Sequence, residues 1–151
     1  MQLTKNFSLY ELLESNTADS LGYTEQYDPP QSVIDNLSML AVNILQPLRN
    51  QLKKPVRVSS GYRCKRVNKA IGGVASSQHQ SGEAADIQGA SNQEIFEAIK
   101  KLDLPVDQCI VEFRNENGEP RWIHVSYSAK RQRGQFLEAY KVHGVTKYKA
   151  I

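Results

Sequence analysis

Apolar positions along this chain recur at helical spacing in some stretches and alternate in others, and the two patterns come in mixed order. Ser8-Leu9-Tyr10-Glu11 reads as a capping box, with Phe7 and Leu12 as its hydrophobic staple, and predicts a short helix over roughly 9–14 that ends before Ser15-Asn16-Thr17. Val33, Leu37, Leu40, Ile44, Leu48 and Leu52 then share one face of a long amphipathic helix from about Gln31. Pro47 lies inside it, and a proline that cannot donate to the helix ladder predicts a kink or break near Ile44. Val56-Arg57-Val58 reads as a short strand, Cys64 to Ile71 as a helix closed by Gly72-Gly73, and Ser91-Asn92-Gln93-Glu94 as a second capping box. The helix that this second box opens buries Ile95, Ala98, Ile99 and Leu102 and stops at Leu104-Pro105. Gln108–Arg114 and Arg121–Tyr127 alternate as strands around Asn117-Gly118, a hairpin signal, and residues 134–151 are expected to add a C-terminal helix and tail. Mixed order without repeats predicts an α+β fold, a small antiparallel sheet flanked by helices.

Composition changes this picture little. At 151 residues, 40% hydrophobic and 23% charged, the chain reads as one folded domain (1–151) with its core over about 7–133. The net charge of +3 comes largely from Lys130-Arg131-Gln132-Arg133 and the lysines beyond, which read as a solvated face; no nucleic-acid motif accompanies them. Cys64 and Cys109 lack metal or redox spacing and read as buried thiols. The first residues have no apolar export signal, and no stretch has the length of a membrane span. A monomer with neither nucleic-acid nor membrane partner is expected.

The chemistry concentrates in Ser77-Gln78-His79-Gln80-Ser81-Gly82-Glu83-Ala84-Ala85-Asp86 and in Trp122-Ile123-His124-Val125-Ser126, which hold two of the three histidines. Alternation places Trp122, His124 and Ser126 on one strand face and Ile123 and Val125 on the other. By the same rule Gln108, Ile110 and Glu112 share a face, opposite Cys109, Val111 and Phe113, so Glu112 lies across the hairpin from the histidine strand. Asp86 stands in an otherwise apolar strand, where an unpaired carboxylate is costly to bury; a metal would satisfy it. His79, Asp86 and His124 fit a three-ligand zinc site whose fourth position stays open for water, as in catalytic zinc.

Ser77-x-His79-x-x-Gly82-x-Ala84-x-Asp86 followed by Trp122-x-His124-x-Ser126 resembles the zinc D-Ala-D-Ala carboxypeptidases and related peptidoglycan peptidases, which include phage endolysins. Ser60-Gly61-Tyr62-Arg63, the Asp107–Glu112 segment and Phe7-Ser8-Leu9-x-Glu11-Leu12 extend the resemblance from about Phe7 to Arg133. It implies a hedgehog/DD-peptidase fold with zinc (Zn2+) on the sheet face, and His79, Asp86 and His124 as its ligands. It also implies a peptidoglycan stem peptide as substrate, cut as by a carboxypeptidase or an endopeptidase. Synthesis in the cytoplasm with action at the cell wall, as by a lysin, would follow. Ser77, Gln108, Trp122 and Ser126 become candidate substrate contacts, as does Arg63, whose guanidinium suits a peptide carboxylate but equally a structural ion pair. Many relatives carry a glutamate three residues before the last histidine, where this chain has Arg121. Glu112 is therefore the candidate general base and Glu119 the runner-up. The alternative is a non-catalytic wall-binding or structural protein of the same fold.

Overall fold

Caps written into the sequence start the first helices of the computed structural model, which describes residues 1–151. Ser8 Oγ accepts from the Glu11 amide at 3.2 Å while Glu11 Oε1 accepts from the Ser8 amide at 3.3 Å, opening α1 (Leu9–Leu13). The polar run that follows does not only end α1. Ser15 Oγ accepts from the Ala18 amide and starts α2 (Asn16–Leu21), a helix too short for apolar periodicity to reveal. The long amphipathic segment breaks where Pro47 predicts it. α3 (Gln31–Leu40) widens into a π-helical turn over Ala41–Leu45 and resumes as α4 (Gln46–Leu52), with Pro47 in the first turn of α4. The extra residue per turn accommodates the missing amide while the chain stays helical, so Leu37, Leu40, Ala41, Ile44, Leu45 and Leu48 are all fully buried. Truncating one of them, as in Leu37→Ala, would cost about 2–5 kcal/mol. α5 (Lys65–Ala70) and α6 (Asn92–Lys101) complete the helices, α6 capped by Ser91.

The sheet has six strands in the order β1-β2-β4-β3-β5-β6. These are β1 (Arg57–Ser60), β2 (Ala84–Gln88), β3 (Gln108–Arg114), β4 (Pro120–Ser126), β5 (Gln135–Val142) and β6 (Val145–Ala150). All pairings are antiparallel except β3 with β5, because the chain loops back after β4 and runs alongside β3 in the same direction. The α+β class holds, but the expected C-terminal helix does not form: residues 135–150 are the β5–β6 hairpin. Its turn is His143-Gly144, both with positive φ (50° and 78°) between the paired Val142 and Val145. That is the two-residue turn whose twist suits a hairpin, and it overrides an apolar spacing at Phe136, Leu137 and Tyr140 that a helix would also satisfy.

One sheet face is apolar. Ala85, Ile87, Cys109, Val111, Ile123 and Val125 are fully buried there and join the helices in a single hydrophobic cluster running from Phe7 to Tyr127. Both cysteines are free and buried, and burial pushes the Cys109 thiol up. The other face carries a continuous cross-strand row, Ser60–Asp86–His124–Ile110–Leu137, with Trp122 opposite Glu112 one step along. Alternation along β3 fails at Phe113, expected on the apolar face. Its φ of 52° is left-handed, a conformation that costs a bulky residue on the order of 1–3 kcal/mol. The inversion swings its ring beside Trp122 (centroids 5.8 Å apart) and sends Arg114 to Gln93 and Glu138 instead.

Candidate metal centre and cleft

His79 is delivered by a 3-10 turn (Gln78–Ser81) lying over the sheet, not by a strand. Ser77 Oγ accepts from the His79 amide at 3.2 Å, and Gly82, at φ 76°, ends the turn. A Cβ at Gly82 would come within 2.8 Å of the Val33 carbonyl oxygen, so the turn can seat on α3 only with glycine there. The ring is buried, and Nδ1 lies 2.7 Å from the Gly61 carbonyl oxygen. A carbonyl only accepts, so Nδ1 carries a proton and Nε2 is turned toward Asp86 Oδ1 at 3.4 Å. Gly61 is itself held against α1, where a Cβ would sit 2.4 Å from the Leu12 carbonyl oxygen. Buried Gln26 fixes the same loop by donating to the Leu13 and Tyr62 carbonyls and accepting from the Cys64 amide.

Strand register supplies the other two ligands, since Asp86 and His124 are directly paired neighbours on β2 and β4. His124 Nδ1 stands 3.1 Å from Asp86 Oδ1, while Asp86 Oδ2 accepts from Arg63 Nη2 at 3.1 Å. The carboxylate thus offers one oxygen inward and has the other occupied. Burial alone would push Asp86 up, but hydrogen bonds with His124 and His79 outweigh it and hold the carboxyl well below the usual carboxylate range. One ligand atom from each of the three residues lies within 4.8 Å of the others. Donors about 2.0–2.1 Å from a tetrahedral zinc stand about 3.3 Å apart, so the 3.1 and 3.4 Å separations fit such an ion without rearrangement of Asp86. The donor set, two imidazoles and one carboxylate, suits zinc and leaves a position for water or substrate.

Glu112 lines the same cleft, diagonally across the β3–β4 hairpin from His124. Burial pushes its carboxyl up to about 7, with the charge of Asp86 adding to the rise and those of His124 and Arg63 opposing it. It is therefore a carboxyl able to exchange protons near neutrality.

The remaining sequence candidates divide. Arg63, Ser77, Gln108 and Trp122 all line the cleft. Of the two readings for Arg63, its hydrogen bonds to Asp86 and to Ser60 Oγ at 3.0 Å are those of the ion pair. Ser126 is not available to a substrate: it is fully buried, and its Oγ accepts from the Gln108 amide at 3.0 Å. Nor is Glu119 near the cluster. Its carboxylate accepts from the Asn92 and Gln93 amides at 2.6 and 3.1 Å, as an acidic group should at the N-terminus of α6. Arg121 is exposed and outside the cleft lining. Sequence reasoning missed the Gly61 carbonyl, Gln26 and the far cleft wall formed by Leu137, Lys141, Thr146 and Tyr148. The His143-Gly144 turn was the signal that could have exposed that wall.

Compared with known proteins, the chain matches the family model described as peptidase M15 over residues 5–126. No curated protein matches it.

Proposed function

The chain belongs to the peptidase M15 family, and from that premise we propose a zinc-dependent peptidase that hydrolyses an amide bond in peptidoglycan stem peptides, as carboxypeptidase or endopeptidase. The observation that carries this reading is the convergence of His79 Nε2, Asp86 Oδ1 and His124 Nδ1, with His79 and Asp86 each oriented by a partner of its own. His79, Asp86 and His124 would hold a zinc ion, which would supply Lewis-acid polarisation of the scissile carbonyl and activate water for attack near neutral pH.

The chain's own residues do the rest. Gly61 keeps the His79 proton on Nδ1, and Arg63 keeps Asp86 turned toward the histidines. Glu112 takes the proton from the attacking water and returns it to the leaving amine, a role that suits a half-buried carboxyl lining the cleft diagonally across the hairpin from His124. Trp122 walls the cleft beside it, and Ser77 and Gln108 line its approach. No helix is long and apolar enough to cross a membrane; the reading has the chain act at the cell wall as a lysin would.

Replacing Glu112 with Gln tests it. Cleavage of purified stem peptides, followed by mass spectrometry, should fall about 10²–10⁴-fold with zinc content unchanged. The competing reading, a protein that binds wall peptide without cutting it, draws on Arg121 standing where many relatives carry a glutamate. It predicts that the unaltered chain binds these peptides and leaves them intact.

A further inference from the structure

The family match ends at residue 126, yet the cleft does not end there. Beyond the His/Asp cluster its floor continues through Ile110 and Leu137, past the facing rings of Phe113 and Trp122, to Lys141 and Tyr148 on the β5–β6 hairpin. The register explains why. Glu112, Ala139 and Tyr148 form one cross-strand row, and Lys141 pairs with Thr146 on the same face, so the hairpin widens the cleft floor by two strands.

Four Lys or Arg side chains line this cleft, and three are committed. Arg63 holds Asp86, and Arg131 and Arg133 both hold the buried Asp107. Lys141 has no carboxylate partner: its ammonium rests 5.4 Å from the centre of the Phe113 ring, whereas Lys149 on the opposite face of the hairpin pairs with Glu138. An exposed cation set on an aromatic ring at the end of an apolar floor is suited to an anionic group at the end of a bound chain.

We propose that the β5–β6 hairpin is the specificity wall of this cleft, and that Lys141 binds a carboxylate of the peptide substrate remote from the bond that is cut. The inference rests on the peptidase reading and adds a substrate feature to it. From His124 to Lys141 the path crosses two strands and runs four residues along β5, on the order of 15 Å between Cα positions. An extended peptide covers that span in about four residues. Lys141 therefore reads a carboxylate several residues from the scissile amide.

Trp122, the only tryptophan, lies in the cleft, so binding can be followed by its fluorescence without turnover. The zinc-loaded Glu112→Gln protein, with and without Lys141→Met, is titrated with the peptide L-Ala-γ-D-Glu-L-Lys-D-Ala-D-Ala. Two analogues, amidated at the glutamate carboxylate or at the C-terminus, identify which carboxylate is read. Lys141→Met should weaken the parent peptide about tenfold, and one amidation should do the same in the Lys141 protein while having no effect once Lys141 is gone. Lys147→Met, on the other face of the hairpin, should leave all three affinities alone. Equal affinities with and without Lys141, losses on amidation that persist in Lys141→Met, or no binding of any peptide would each overturn the inference. Zinc content and hydrolysis by the unaltered chain, measured on the same peptides, fail separately if the peptidase reading is wrong.

Discussion

Asp86 and Asp107 are both buried beside the same cleft, and both are held ionised well below the usual carboxylate range, but their surroundings make them different kinds of site. Asp107 is enclosed by groups that can only donate. Arg133 reaches it with Nε at 2.7 Å, Nη2 at 2.9 Å and its own amide at 3.2 Å, and Gln78 Nε2 and Arg131 Nε stand at 3.1 and 3.2 Å. Hydrogen bonds from Arg133 outweigh its burial and bring the carboxyl to about 2. Asp86 has only one such donor, Arg63, and turns its other oxygen to two imidazole nitrogens. An imidazole nitrogen can give up its proton and offer a lone pair, whereas a guanidinium cannot. A buried carboxylate ringed by guanidinium and amide donors is a closed structural lock, tying the loop before β5 and the turn of His79 to the head of β3. One that faces imidazoles can exchange a proton for a metal.

Neutralising each aspartate separates the two roles. Asp86→Asn should lose zinc, read by elemental analysis, and with it hydrolysis of stem peptides, while the protein stays folded. Asp107→Asn should leave zinc bound but lower stability by about 2 kcal/mol, a drop of several degrees in Tm for a domain of this size. If Asp107→Asn lost zinc as fully as Asp86→Asn, the contrast would collapse.

Acid sharpens the same comparison. Because the folded Asp107 carboxyl titrates near 2 against about 3.9 in an unfolded chain, its contribution is complete above about pH 4 and is lost as the pH falls toward 2. Urea midpoints measured across that window should fall more steeply for the unaltered protein than for Asp107→Asn.

The smallest effect concerns a third carboxylate. Glu119→Gln removes a charge from the start of α6 and should cost about 1 kcal/mol with hydrolysis unchanged. A loss of activity matching that of Glu112→Gln would instead return Glu119 to the chemistry.

Legibility followed the range of the forces involved. His124 and Glu112 could be placed on one hairpin face because period-two alternation is local and the Asn117-Gly118 turn sets the hairpin, whereas Asp86 was joined to them by the His/Asp motif and its pairing with His124 came from the fold. Caps at Ser8 and Ser91 and the break before Pro47 were equally local. What escaped depended on contacts distant in sequence. Glu119 meets the N-terminus of α6 from 27 residues away, and no local pattern announces that. Ser126 shares its strand alternation with His124 but is sealed by the Gln108 amide. Phe113 breaks the alternation rule itself through a left-handed backbone, and β5 pairs in parallel with a strand it does not follow.

The central claim is that His79, Asp86 and His124 together hold one zinc ion. Elemental analysis of the purified protein after dialysis, beside His124→Ala treated identically, tests it most directly. The account predicts one zinc per chain in the unaltered protein and none in the variant; a chain without zinc, or a variant that keeps it, would contradict the account.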